Sequence, residues 1–133
     1  MNFEEGKRWL TRANSIDREI MELEDEVEAY ESCLMCAGIS YDRSRIITSP
    51  ENHFEKVMCD IAECLTKIKK LNEIKIGILR EINQKLDTLP ESPERYILRA
   101  FYVKHRKMKD ISKALGYEEH YCYELRKKGI EKL

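Results

Sequence analysis

Trp9, Ala13, Ile16, Ile20, Leu23, Val27, Tyr30, Leu34 and Ala37 follow one another at alternating spacings of four and three residues. Glu19, Glu22, Glu24, Asp25, Glu26 and Glu28 fill positions between them. An average apolar repeat of about 3.5 residues keeps one narrow seam on one side of a helix, the pattern of a helix that pairs along its length. The spacing predicts a helix over residues 4–37, roughly 50 Å long at about 1.5 Å per residue. No Gly or Pro interrupts it after Gly6.

Residues 38–49 read as a connector that Gly38 opens, because glycine accepts the left-handed conformation that ends a helix. Ser49-Pro50-Glu51 then starts a second helix, with a capping hydroxyl, Pro in the first turn and an acid near the positive end of the helix dipole. Its apolar stripe runs Phe54, Met58, Ile61, Leu65, Ile68, breaks at Asn72 and Lys75, and resumes at Leu79, Ile82, Leu86 and Leu89. Leu71, Ile74 and Ile78 move apolar surface to a neighbouring face, as a helix does when it contacts more than one neighbour. Two paired helices bury little, so the hairpin is expected to form a homodimeric bundle through Ile16, Ile20, Leu23, Val27, Ile61, Leu65 and Ile68.

Pro90 ends the second long helix, and Ser92-Pro93-Glu94 repeats the start signal seen at Ser49. The chain is therefore expected to divide into a hairpin, 1–89, and a C-terminal unit, 90–133. Three short helices fit the latter. The first covers 93–104 with Ile97, Leu98, Phe101 and Tyr102 inward, and the second 108–115 with Met108, Ile111, Ala114 and Leu115 inward. The third covers 118–132 with Cys122, Leu125 and Ile130 inward. The stretch from Lys109 to Tyr117 has the form of a helix-turn-helix: Ala114 allows close approach, Gly116 permits a tight left-handed turn, and apolar residues hold the interhelical angle. Such units mostly enter the DNA major groove, and some serve only as protein-contact or structural modules. The fold class is thus all-α: a long antiparallel, coiled-coil-like helical hairpin followed by a C-terminal tri-helical helix-turn-helix.

Charge sharpens this picture. Residues 1–90 carry 13 Lys/Arg against 18 Asp/Glu, and residues 91–133 carry 11 against 7, so a net charge of −1 hides a basic C-terminal segment. Lys104, His105, Arg106, Lys107 and Lys109 form one run, with Lys113 beyond it; Arg126, Lys127 and Lys128 form another. Beside a helix-turn-helix these cations suit phosphate. His120 and Tyr121 suit base contact, whereas Tyr123 is expected to pack inward or against the hairpin. Trp9 reads as a packing anchor.

No apolar stretch approaches the ~20 residues that span a bilayer, and the N-terminal residues lack a secretion signal, so a cytoplasmic location and no membrane partner are expected. Five cysteines, Cys33, Cys36, Cys59, Cys64 and Cys122, read as reduced, buried or half-buried thiols. Cys33-x-x-Cys36 would need a second pair close by to hold zinc, and the antiparallel register puts Cys59 about 10 Å away. His53, His105 and His120 are scattered, and no triad, phosphate loop or metal-spaced carboxylate set is present. Neither catalysis, metal nor cofactor is expected.

The C-terminal unit resembles region four of the primary bacterial sigma factors. The whole chain resembles small phage and prophage proteins, including RinA/ArpU-type late transcription activators and relatives of unassigned function. The matching residues are Leu89-Pro90, Ile97-Leu98, Tyr102, Ile111, Leu115-Gly116-Tyr117 and Tyr123-Glu124-Leu125, with the connector from Tyr41 to Ser49. The resemblance implies a phage-type transcriptional regulator in a bacterial host, whose partner is double-stranded DNA; the charge runs and helix positions of this chain make Lys104, Arg106, Lys107, Lys109, Lys113, His120, Tyr121, Arg126, Lys127 and Lys128 its expected contacts. The alternative is an interaction module for RNA polymerase or another host or phage protein. One departure stands out: the family commonly has Ser and then basic residues after Leu-Gly-Tyr, where this chain has Glu118, Glu119 and His120. Acids there stabilise the helix through its dipole; they also repel phosphate, although they can accept from cytosine N4.

Overall fold

The computed structural model describes residues 1–36 and 53–133, and among these every regular element is helical. The elements are α1 (Phe3–Leu10), α2 (Ala13–Cys36), α3 (His53–Asp87), α4 (Pro93–Leu98), a π-helical turn (Arg99–Val103), α5 (Met108–Leu115) and α6 (Glu119–Glu131). Among the described residues no helix is long and apolar enough to cross a membrane. Ala37, the connector and Ser49-Pro50-Glu51 lie outside the described residues.

The first predicted helix is two helices. Thr11 ends α1: its hydroxyl donates to the Lys7 carbonyl at 2.8 Å, which also receives the Thr11 amide at 3.1 Å. Arg12 Nε donates to the Trp9 carbonyl at 3.0 Å. Side chains thus take carbonyls at the end of α1, which lets the chain turn before α2 begins at Ala13.

Two compact units emerge, Asn14–Lys75 and Met1–Ala13 with Ile76–Leu133, in place of a division at residue 90. In the first, Asp17 pairs with Lys75 at 2.6 Å and Cys64 Sγ donates to Glu26 at 3.3 Å, so α2 and α3 run antiparallel. Val27, Leu34, Met58, Ile61, Cys64 and Ile68 form the seam between them. Val27, Ile61 and Ile68, expected at a dimer interface, are therefore spent inside a single chain. Ile20, Leu23 and Leu65 pack at the flanks of that seam, and Ile16 is half-buried. Lys75 breaks the apolar stripe because it is ion-paired to Asp17, while Asn72 and Ile74 are exposed.

The second unit has two clusters. Leu10, Ile82, Leu86, Leu89, Leu98, Tyr102 and Ile130 form one, with Phe3, Trp9 and Leu133 packed against it. Ile97, Ala100, Met108, Ile111, Cys122 and Leu125 form the other. The N-terminal helix α1 and the end of α3 thus belong with the C-terminal helices. Gly6 explains the fit of α1 against α6, because a Cβ there would overlap Ile130 Cγ2. Ser92 caps α4 by accepting from the Arg95 amide, with Pro93 in the first turn, as its sequence predicts. Arg95 donates to the Leu89 carbonyl at 3.3 Å and Arg99 pairs with Asp87 at 2.6 Å, which clamps α4 to the end of α3. The helix predicted over 93–104 widens into a π turn from Arg99, which brings both Phe101 and Tyr102 against the core.

Candidate nucleic-acid interface

Two short connectors lead into α5 and α6. His105 takes a left-handed φ of 52°, uncommon for a residue with a side chain, and the Arg106 amide then bonds the Ala100 carbonyl at 2.9 Å. This connector leaves Lys104, His105, Arg106 and Lys107 exposed immediately before α5. At the other end of α5, Gly116 adopts φ 73° and ψ 23°, and its amide bonds the Ser112 carbonyl at 2.9 Å. A left-handed residue there is where glycine is favoured, since a Cβ would meet the backbone.

The inward face of α5 is Met108, Ile111 and Ser112, with Leu115 partly buried. Ala114, expected inside as the small residue at the helix crossing, is exposed. The reason is phase: 108, 111, 112 and 115 form the one-sided helical pattern, and 114 falls off it. Ser112 is buried without penalty because its hydroxyl donates to the Lys109 carbonyl at 2.7 Å. A close crossing of another pair, α4 and α6, is made at Gly129, where a Cβ would stand 3.0 Å from Leu98 Cδ1 and 3.1 Å from Glu94 Cβ.

On α6, Cys122, Leu125, Gly129 and Ile130 are buried. His120, Tyr121, Tyr123, Glu124, Lys127 and Lys128 are exposed. Tyr123, expected inward or against the hairpin, is 40% exposed; Tyr121 is 43% and Tyr117 39% exposed. Tyr117 and Tyr121 meet edge to face at 5.3 Å across the turn, a pair whose sequence signal was the four-residue spacing. His120 Nε2 lies 3.2 Å from Glu124 Oε1. Glu118 and Glu119 are exposed at the helix start, and Glu118 occupies the cap position without a side-chain capping bond.

Arg126 departs most from its expected role. It is half-buried, with its guanidinium 5.2 Å from the Phe3 ring, 5.5 Å from Phe101 and 5.2 Å from Tyr123. Its Nε is buried without a hydrogen-bond partner, as is the Tyr102 hydroxyl. Burial pushes the Tyr102 hydroxyl above its usual range, against the opposing pull of the Arg126 charge. Arg126 is therefore a packing cation that joins α1, the π turn and α6. Sequence alone places it in a basic run; nothing there reveals the three rings.

The positive charge now separates by role. Of the 11 cations after residue 90, Arg95, Arg99, Arg126 and Lys132 are engaged within the fold, Lys132 with Glu94 at 3.6 Å. The other seven, Lys104, Arg106, Lys107, Lys109, Lys113, Lys127 and Lys128, are all exposed. Asp110 is the acid among the first five.

Comparison with protein-family models, curated proteins and solved structures returns no match to the chain.

The cysteines take no part in this surface. Cys33 and Cys36, expected to be at least half-buried, are exposed, whereas Cys64 and Cys122 are buried. Burial pushes both of those thiols up, which keeps them protonated and poorly nucleophilic. Among the described residues no three His, Cys, Asp or Glu side chains are grouped as metal ligands.

Proposed function

We propose that α5, the Gly116 turn and α6 form a helix-turn-helix that binds duplex DNA, and that the protein is a transcriptional regulator of the phage type. The carrying observation is the sorting of charge. Four C-terminal cations are engaged by other groups of the chain, while seven exposed ones on the connector, on α5 and on α6 are not. Lysines held in solvent around a short helix pair are suited to phosphate, and such contacts set affinity and orientation. His120 and Tyr121, exposed near the front of α6, are the side chains suited to base edges. The acids at the same end act on the helix dipole and reduce the affinity that the cations supply. In this reading the protein binds DNA chiefly through its backbone, with modest sequence preference and no catalytic chemistry.

Lys127→Ala/Lys128→Ala is the direct test. Both residues are exposed, so stability should stay within about 0.5 kcal/mol. Affinity for a labelled duplex, followed by fluorescence anisotropy, should fall about 10-fold or more, alike for unrelated sequences, with a salt dependence shallower by about two counterions. Unchanged affinity would remove α6 from the interface.

The exposed edge-to-face pair of Tyr117 and Tyr121, with Glu118 and Glu119 between them in sequence, favours a second reading, in which the same surface docks on a protein such as RNA polymerase. Co-elution with purified polymerase that Tyr121→Ser abolishes would support it. A lack of co-elution would count against it.

A further inference from the structure

Within the unit Asn14–Lys75, one side of the α2–α3 pair holds an open groove of about 410 Å³. Leu23 and Leu71 form its apolar floor, Glu19, Glu22 and Glu26 rise from α2, and Lys67 and Lys70 rise from α3. One wall is therefore wholly acidic and the other wholly basic. Ile74, 53% exposed, follows Lys67, Lys70 and Leu71 on the same face of α3 by helical spacing and extends the apolar strip.

The geometry points to a second copy of this chain as the occupant of the groove, related by a two-fold axis parallel to the helices. Of the residues read from the sequence as the dimer contact, Val27, Ile61 and Ile68 are buried within one chain, whereas Leu23 lies on the floor of this groove, which is open to solvent. Two symmetric arrangements could place the groove against itself. An axis across the helices stacks α2 on the partner's α2, so that acidic wall meets acidic wall, and the basic walls meet likewise. An axis along the helices stacks α2 on the partner's α3 and brings opposite charges together.

The antiparallel register favours the second arrangement in detail. Asp17 stands opposite Lys75 and Glu26 opposite Cys64, so residues whose numbers sum to about 91 are level. Lys70 is then level with the gap between Glu19 and Glu22, and Lys67 with the gap between Glu22 and Glu26. Rotation about an axis along the helices preserves those levels. Each partner lysine enters between two glutamates, and the two apolar floors meet to close a four-helix bundle. The pairing of Lys67 with Glu63 at 3.6 Å is between largely exposed side chains, and it can be exchanged. This inference is independent of DNA binding and is tested without DNA.

Light scattering after gel filtration should give twice the 15.8 kDa chain mass at a loading of tens of micromolar. Glu19→Lys/Glu22→Lys turns the α2 wall basic except at Glu26, and Lys67→Glu/Lys70→Glu makes both walls acidic; each variant alone should run as a monomer, with self-association at least about 100-fold weaker. An equimolar mixture should return to the dimer mass, because every wall then meets its opposite. All four substitutions in one chain should also restore the dimer, which checks that the exchanged charges are tolerated by the fold. A wild-type monomer, two variants that both remain dimeric, or folded variants that ignore one another in the mixture would each overturn the inference.

Discussion

Leu10→Ala is expected to lower the unfolding free energy by about 3 kcal/mol, within the range of about 2–5 kcal/mol for deletion of a buried leucine side chain. Leu10 is 2% exposed and lies in the cluster with Leu86, Leu98 and Ile130. Truncation opens a cavity in the floor on which α4 and α6 rest, although Leu10 is distant from both in sequence. Trp9, the one tryptophan, packs against the same cluster and is a built-in reporter. Urea unfolding followed by its fluorescence should show a midpoint lower by about 1 M or more, given a slope of about 1–3 kcal/mol per M. A shift equivalent to less than about 0.5 kcal/mol would mean that α1 is not part of the C-terminal core.

Arg126→Glu should be about as damaging, by another route. It replaces a cation held over three aromatic faces with an anion that those faces repel, at a half-buried position. The expected cost is about 2–4 kcal/mol, seen as an early thermal transition and weakened near-ultraviolet dichroism of the aromatic residues. Arg126→Lys keeps the charge and loses the planar contact, for roughly 1 kcal/mol. Lys128→Glu, exposed and one helical turn from Glu124, should cost no more than about 1 kcal/mol. Equal tolerance of charge reversal at 126 and 128 would return Arg126 to the solvated face. The distinction matters for function, because DNA binding lost through Arg126→Glu reports a damaged fold.

Much of this fold is legible in the sequence. The paired stripes give two helices that associate, Ser92-Pro93 gives the start of α4, and Gly116 gives the left-handed turn, since each is a local rule with a local cause. What escapes depends on neighbours distant in sequence. The end of α1 rests on Thr11 and Arg12 side chains bonding backbone carbonyls, and Thr mid-helix carries no fixed outcome. Gly6 is indistinguishable from a weak point in a helix until Ile130 is known to lie across it. Ala114 is expected inward as a small residue at a helix crossing, yet helical phase turns Ser112 inward, where its hydroxyl is satisfied locally. A heptad seam likewise does not tell whether its partner is another helix of the same chain or of a second copy.

The candidate interface was partly legible for the same reason. Exposed lysines in a run are easily read, and seven of the eight expected cations are in solvent. Arg126 is the exception, because its rings arrive from α1 and the π turn. Tyr123 is its counterpart: the short helical period places it away from Cys122 and Leu125, and it supports Arg126 from outside.

The most direct measurement of the central claim is the salt dependence of binding to a random-sequence duplex of about 20 base pairs. With four or five of the seven exposed cations on phosphates at once, the logarithm of the binding constant should fall with that of salt with a slope near −4, about 0.9 per phosphate. That corresponds to a loss of about two orders of magnitude in affinity between 50 and 200 mM salt. No complex at 50 mM salt, or one indifferent to salt, would contradict the account and leave the tyrosine-bearing face of α6 as a surface for protein.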